Sequence, residues 1–237
     1  MALYTEDAVR SNIRVKDGKR VFYLAAGDRM TPAARQWLRQ EHVEVLPAAQ
    51  ARVTEFRTLF GATLQEKPEH MTHLSGNLLV MKDHPRIRFR GMIDTLEAEL
   101  LLCMHHALQE QLPQLHSTLQ DTLQFVRQLI PADVLDEPVK PWKLGGMTPE
   151  ELRERSHFPQ KYYDQPHFMP DGRDSLILLQ LNRVRTVVRQ TELAAFDAFR
   201  TRDGAVTRED ILMALNRLSS LIWILMIQLK AKENTHG

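Results

Sequence analysis

Between Leu181 and Glu192 the chain reads LNRVRTVVRQTE, with neither Gly nor Pro and with apolar residues spaced for a helix at Leu181, Val184 and Val188. At about 100° per residue, Asn182, Arg185, Arg189 and Glu192 fall within a sector of roughly 80°. That sector borders the apolar stripe, while Arg183, Thr186 and Gln190 take the outer polar face. Two arginines and a glutamate at the edge of a core cost desolvation energy unless something pairs with them. Two arrangements meet that demand. One is a partly buried Arg–Glu network that fixes helix register. The other is a polyanion site, because a guanidinium offers planar, multidentate contact to phosphate.

Other stretches also carry reactive or binding side chains. Ser156 to Asp174, SHFPQKYYDQPHFMPDGRD, has no periodicity and sets His157, Phe158, Tyr162, Tyr163, His167, Phe168 and Met169 among prolines. Long aperiodic segments are uncommon in compact domains and often serve as lids or binding loops. The competing reading is an Ω-like loop that seals a hydrophobic seam. Thr72 to Val80 reads as a loop with Gly76 and Asn77 available for tight turns, and the basic residues Lys82, Arg86, Arg88 and Arg90 follow it. No Gly-rich phosphate loop is present, which excludes an ordinary P-loop or Rossmann site at the motif level. The histidines His70, His73, His84, His105 and His106 lack the i,i+4 pair or the accompanying cysteines of a zinc motif, so no metal is expected. Cys103 reads as a small core residue, and no Ser or Cys nucleophile with its base can be argued.

The elements that must position these residues follow from composition and pattern. The chain has 237 residues, 43% hydrophobic and 26% charged, enough for one large domain or a domain plus a small one. A formal net charge of +1 implies neither wholesale nucleic-acid binding nor attraction to a membrane surface. A single cysteine excludes an internal disulfide and suits a reducing cytoplasm. No secretory signal is visible, and the most apolar run, Leu221 to Ile227, is too short to span a bilayer. Residues 1–48 predict a small α+β piece. Thr5 caps a short helix through Arg10, Arg20 to Leu24 is a strand, Thr31-Pro32 opens a second helix, and His42 to Leu46 is a second strand. Residues 49–71 form a connection, with a short helix considered around Ala51 to Phe60. Residues 72–237 predict a helical domain. Its helices run from about Gly91 to Gln111, from Gln114 to Ile130 before Pro131, from the Thr148-Pro149-Glu150-Glu151 capping box to near Ser156, through Leu181 to about Arg200, and from a Thr207 cap to about Lys232. The fold class is mainly α: a helical bundle of four to five helices with a small N-terminal α+β segment.

Several of these pieces, in their order along residues 72–232, resemble the ATP:corrinoid (cobalamin) adenosyltransferases. Lys82-x3-Arg86-x4-Gly91-x2-Asp94 followed by Leu96-Glu97-Ala98 is similar to that family's KxxxRxxxxGxxDEL segment. Arg185-Thr186-x2-Arg189-x2-Glu192 resembles its RTxxRxxE, and Asn216-Arg217-Leu218-Ser219-Ser220 its NRLSD. KPEHMTHL, SHFPQKYY, HFMPDG, ALNRLSS and RMTPAARQWL resemble the ethanolamine-utilisation branch. The resemblance implies a transferase that moves the 5′-deoxyadenosyl group of ATP to the cobalt of reduced cobalamin and releases triphosphate, with Mg2+ accompanying ATP. It implies a helical bundle that assembles as a homo-oligomer, a trimer with sites between subunits. The implied setting is the cytoplasm or a bacterial microcompartment. The implied partners are a reductase or an adenosylcobalamin-dependent lyase, with no nucleic acid and no membrane.

Residue by residue, the resemblance makes His73, Ser75, Gly76 and Asn77, with Lys82 and Arg86, the cradle for ATP phosphates. It pairs Asp94 with Arg185 across the bundle and sets Arg189, Glu192 and Asn216 against ATP. Phe168 is the implied counterpart of an aromatic residue that keeps the corrinoid's lower ligand away from cobalt, with His167 and Tyr162 as further cobalamin-side residues. Phe168 as a plain packing anchor of its loop stays open beside that role. The chain also departs from the family. The His and Cys cluster that binds a metal in some ethanolamine-branch members is missing, Ser220 replaces the last Asp of NRLSD, and the phosphate loop lacks the charged GDKG-like pattern. Two other functions remain open: a corrinoid carrier without chemistry, and a structural helical oligomer whose arginines fix register.

Overall fold

The computed structural model describes residues 2–16, 18–48 and 55–236. They divide into two compact units, Met1–His84 with Asp133–Asp136, and Pro85–Ala132 with Glu137–Gly237.

The first unit is α+β. Strand β1 (Leu3–Tyr4) pairs in parallel with β4 (Arg29–Met30), and β2 (Arg14–Lys16), β3 (Lys19–Leu24) and β5 (Glu44–Pro47) form a three-stranded sheet in the order β2-β3-β5. Helix α1 (Glu6–Arg10) is capped by the Thr5 hydroxyl and α2 (Pro32–Gln40) by the Thr31 hydroxyl, with Pro at the head of α2 where its missing N–H costs nothing. β3 and β5 are parallel, in register Val21↔Glu44, with α2 in the crossover between them. A small core of Val9, Ile13, Phe22, Ala34, Trp37, Leu38 and Val43 holds this piece together.

A third sheet, four-stranded in the order β7-β6-β9-β8, consists of β6 (Phe56–Thr58), β7 (Thr63–Leu64), β8 (Met71–Ser75) and β9 (Leu78–Met81). Thr72 to Val80 is therefore a β-hairpin, not the expected loop. The register shifts between His73 and Ser75, so Met71 and Leu74, both buried, lie an odd number of residues apart. A bulge of this kind breaks the two-residue alternation by which a strand is recognised. Gly76 turns the hairpin at φ +52°, a left-handed conformation that glycine adopts without strain. Of the helix considered near Ala51 to Phe60, residues 51–54 lie outside the described residues, and Phe56–Thr58 is strand.

The second unit is helical: α3 (Pro85–Gln109), α4 (Pro113–Val134), α5 (Pro149–His157), α6 (Pro159–Tyr163), α7 (Leu176–Phe199) and α8 (Glu209–His236). Its core includes Phe89, Ile93, Leu96 and Leu100 of α3, Leu119 and Val126 of α4, Leu181, Val184 and Val188 of α7, and Leu215, Leu218 and Ile222 of α8. Cys103 is buried among them, and its thiol is pushed up to about 12 by that burial, as expected of an inert core cysteine. The mainly α expectation holds, with differences at the ends of elements. α3 starts at Pro85, not near Gly91, because proline suits the first helical position. α4 continues through Pro131 for one more turn, and a proline so near the end removes few hydrogen bonds. α6 lies inside the stretch expected to be wholly irregular. The capping box is formed: Thr148 Oγ1 accepts from the Glu151 N–H at 3.3 Å, and Glu151 Oε2 accepts from the Thr148 N–H at 2.8 Å. The Thr207 hydroxyl, expected to cap α8, donates to the Phe199 carbonyl, and α8 begins at Glu209. Residues 209–233 are long and apolar enough to cross a membrane by length and composition, yet 56% of the apolar window is buried within the bundle.

Arg208 ties the start of α8 to α4 and the segment after it. Its guanidinium donates to the carbonyls of Ala132 and Glu137 at 2.9 and 2.8 Å and to the Asp210 carboxylate at 2.9 Å, and the side chain is about 10% exposed. Asp210 also accepts from the Val139 N–H at 2.8 Å. Burial pushes the Asp210 carboxyl up, but the bonds from Arg208 and Val139 outweigh it and hold the group below its ordinary value. Arg208→Ala should lower unfolding free energy by up to about 3 kcal/mol, as for a buried group losing its charged partner. Because the folded Asp210 carboxyl is depressed, its contribution is present above the unfolded pKa and fades as pH falls through the folded one. Urea unfolding at neutral and acid pH checks both, and the deficit of the variant should shrink in acid.

Candidate active site

Helices α7 and α8 meet along a polar seam with two rungs. At one, the Arg185 guanidinium lies over the Trp223 ring, 5.4 Å from its centroid. At the other, Asn216 Nδ2 donates to Glu192 Oε1 at 2.9 Å. The two residues on each helix are seven apart, about 10.5 Å along the axis, so the helices run antiparallel through the site. Arg189 lies between the rungs and is exposed, whereas Arg185 is half-buried. Burial, and then the neighbouring Arg189 charge, pull Arg185 below the ordinary arginine range. Its hydrogen-bond partner is the Asn182 side-chain oxygen Oδ1, at 3.1 and 3.4 Å. Arg217 donates to the Asn216 side-chain oxygen at 2.6 Å, which leaves the Asn216 amide nitrogen for Glu192. The sector of Asn182, Arg185, Arg189 and Glu192 found at the edge of the apolar stripe is thus a real surface. Its neutral companions on α8 were not all foreseen, and Trp223 was missed.

Trp223 also receives the irregular segment. The Phe168 ring stacks on it at 5.2 Å and 21°, and its Nε1–H donates to His167 Nδ1 at 3.3 Å. His167 Nε2 is 3.3 Å from the His157 carbonyl, so one neutral tautomer, protonated on Nε2, satisfies both contacts. His167 and Phe168 are therefore assembled with Arg185 through one indole ring. Tyr162 is placed elsewhere. Its hydroxyl donates to Glu154 and accepts from Lys161, and Arg155 lies over its ring at 5.4 Å. The signal for Trp223 was present in the sequence, seven residues after Asn216 and on the same face of α8.

Asp94 does not pair with Arg185 within the chain, contrary to the expectation of a pair across the bundle. Among the described residues Arg185 has no carboxylate within ion-pair distance, and Asp94 is exposed. Partial burial, and then the nearby Glu97, raise the Asp94 carboxyl above its ordinary value, the opposite of what a guanidinium partner would do. An ion pair between α3 and α7 is made instead by Arg183 and Glu99, in two parallel bonds of 2.7 Å each. Arg86, Arg88 and Arg90 occupy the first turns of α3, where the helix dipole disfavours cations and favours a bound anion.

The remaining predicted phosphate residues belong to the first unit. His73 and Ser75 are on β8, Gly76 and Asn77 form the turn, and Lys82 follows β9. Burial, then the charges of Arg14 and Lys67, depress the His73 imidazole, which keeps it neutral near pH 7. The Asn77 amide donates to the Glu55 carbonyl at 3.3 Å, and Lys82 is 4.0 Å from Glu69. Among the described residues no group of three or more His, Cys, Asp or Glu is placed to hold a metal ion.

A family model described as Cobalamin adenosyltransferase matches residues 62–229. Corrinoid adenosyltransferase EutT of Escherichia coli (strain K12) is 31% identical over 249 residues, 94% of this chain and 90% of that protein. The protein of the same name from Salmonella typhimurium is 30% identical over 254 residues, 96% of this chain and 92% of that one. Among solved structures, a variant PduO-type ATP:co(I)rrinoid adenosyltransferase from Lactobacillus reuteri, complexed with ATP, is similar in fold. Its TM-score is 0.52 at 17% identity, over 70% of this chain and 92% of that chain.

Double-mutant cycles should separate the two proposed contacts. Glu192→Ala with Asn216→Ala should show a coupling of about 0.5–1 kcal/mol by urea unfolding, the worth of an ordinary hydrogen bond. Asp94→Ala with Arg185→Ala should be additive for the isolated chain. A coupling there that grows with protein concentration would place that pair between copies.

Proposed function

The chain belongs to the cobalamin adenosyltransferase family, and from that premise we propose that it is an ATP:corrinoid adenosyltransferase of the ethanolamine-utilisation branch. In this reaction the cobalt of a reduced corrinoid attacks C5′ of ATP, the cobalt–carbon bond forms, and the C5′–O bond breaks as triphosphate leaves with the bonding electrons. The nucleophile arrives with the substrate, which explains why no Ser or Cys nucleophile is needed. The protein's work is to align the two substrates and to stabilise charge on the departing triphosphate.

The observation that carries this reading is the two-runged α7–α8 seam. It sets an exposed Arg189 between Arg185 and the Glu192–Asn216 bond, with the stacked rings of Phe168 and Trp223 beside Arg185. Arg189 and Arg185 bind and neutralise phosphate oxygens, and Glu192 and Asn216 position the nucleotide. The family resemblance adds His73, Ser75, Gly76, Asn77 and Lys82 of the first unit, and Arg86 of α3, as residues for phosphate. Phe168 presents an apolar, water-poor face where the corrinoid's lower ligand would otherwise sit. Mg2+ comes with the nucleotide as its counter-ion, which suits a cation that keeps its own waters and few protein ligands. An exposed Asp94, and an Arg185 with no carboxylate partner among the described residues, support a homo-oligomer in which one copy's Asp94 answers another's Arg185.

The test is the appearance of adenosylcobalamin from reduced cobalamin, ATP and magnesium, followed by its absorbance. A protein that binds corrinoid but consumes no ATP would be a carrier. Arg189→Ala should weaken ATP binding and transfer together, at a cost of about 2–4 kcal/mol in transition-state stabilisation. A folded Arg189→Ala protein with full activity would sink that assignment. Phe168→Ala should keep ATP affinity but lose the four-coordinate cob(II)alamin signal in electron paramagnetic resonance with ATP present. A normal signal alongside a lowered Tm would make Phe168 a packing anchor only.

A further inference from the structure

Residues Asn216, Trp223 and Lys230 recur every seven positions on α8 and so form one stripe, drifting only about 20° per step. The first meets Glu192 and the second meets Arg185, His167 and Phe168. The third, Lys230, is engaged by the segment that carries Phe168. Its Nζ donates to Asp174 Oδ1 at 2.6 Å and lies 5.9 Å from the centroid of the Phe168 ring. Glu233, one turn on, is 3.8 Å away.

Asp174 is the end of that segment and is used twice. Its other oxygen, Oδ2, accepts from the Asp171 N–H at 2.7 Å, while the Asp174 N–H donates to the Asp171 carbonyl at 2.9 Å. The carboxylate therefore closes the turn of residues 171–174 on one side and grips α8 on the other. Its side chain is 4% exposed, and that of Lys230 is 26% exposed. A carboxylate this buried would carry a large desolvation cost without its cation. The pairing with Lys230 holds the Asp174 carboxyl below its ordinary value and raises the Lys230 ammonium. Between residues 164 and 174 the chain has no regular element to fix Phe168. The ring is held by Trp223 on one contact and by the Lys230 ammonium on the other.

We propose that Lys230 is the positioning residue of the corrinoid side of the site: through its ion pair with Asp174 and its contact with the Phe168 ring, it fixes where the aromatic face meets the corrinoid. This rests on the reading of Phe168 as the residue that faces the corrinoid. Lys230 acts through the groups it contacts, Asp174 and the Phe168 ring. Its loss moves the aromatic face, and a shift of about 1 Å is enough to cost up to about 100-fold in rate.

The experiment compares Lys230→Met, Lys230→Arg and Asp174→Asn with the parent in the full-length protein. Steady-state adenosylation and the resonance signal of cob(II)alamin with ATP are the readouts. Lys230→Met should lower kcat/KM for the corrinoid by about 10- to 100-fold and diminish the four-coordinate signal. KM for ATP should stay within about two-fold of the parent, since the ATP contacts are made by other residues. Lys230→Arg, which keeps the cation, should recover most of the loss. If Lys230→Met does not fold, Asp174→Asn carries the test, because it keeps the acceptor shape and removes the charge; it should show the same corrinoid-specific split. Unchanged corrinoid kinetics and an unchanged signal in a folded variant would overturn the proposal. So would an equal loss toward ATP and corrinoid together with a fallen Tm, the mark of a structural tie alone. A parent protein that makes no adenosylcobalamin would instead strike the functional reading itself, and the proposal would fall with it.

Discussion

A half-buried guanidinium that no carboxylate among the described residues answers sets the terms for the helical unit. Arg185 is held at the core edge by an amide oxygen and an indole face, both neutral. Neutral partners leave the charge in place while reducing its exposure to water, which keeps it available to an anion. Arg183, on the outer face of the same helix, has the opposite arrangement: Glu99 meets it in two parallel bonds and neutralises it. One helix thus carries an arginine that holds the fold and, two residues on, one whose charge is still to be met.

That difference organises the neighbouring elements. α8 presents a single stripe, and each of its three members engages a different part of the site. Asn216 meets the carboxylate of α7, Trp223 meets the guanidinium and the aromatic segment, and Lys230 meets the end of that segment. The stripe is mostly unlike the buried side of α8, where Leu215, Leu218 and Ile222 join the core. A helix with so many apolar residues could be mistaken for a membrane span, but its length serves the bundle on one face and the site on the other.

The first unit has its own small core. Its hairpin turns tightly at Gly76 and Asn77, and the charges of Arg14 and Lys67 act on the His73 imidazole of the same hairpin. Successive backbone amides at a tight turn can bind an anion without adding charge that must be compensated elsewhere. Asn77 spends its side chain on the Glu55 carbonyl, so its part in any phosphate contact falls to its backbone.

The sequence alone determined the helices and the faces of those helices. The apolar period of α7, the prolines at helix starts and the Thr148 capping box are local signals, and a helix repeats every few residues whatever it packs against. The border position of Arg185, Arg189 and Glu192 was legible for the same reason. The ordered motifs reached the family because each is a short run of residue types at fixed spacing, legible along the chain whether it falls on a helix, a strand or a loop. The hairpin at Thr72 to Val80 was not legible, since a bulge hides strand alternation from any one-dimensional reading. Only the tertiary structure decided which residues meet. It separated Asp94 from Arg185, paired Arg183 with Glu99, drew His167 and Phe168 to Trp223 and left Tyr162 with Glu154. Those choices depend on how helices far apart in the chain rotate against each other, and a period read along one helix carries no information about its neighbour's phase.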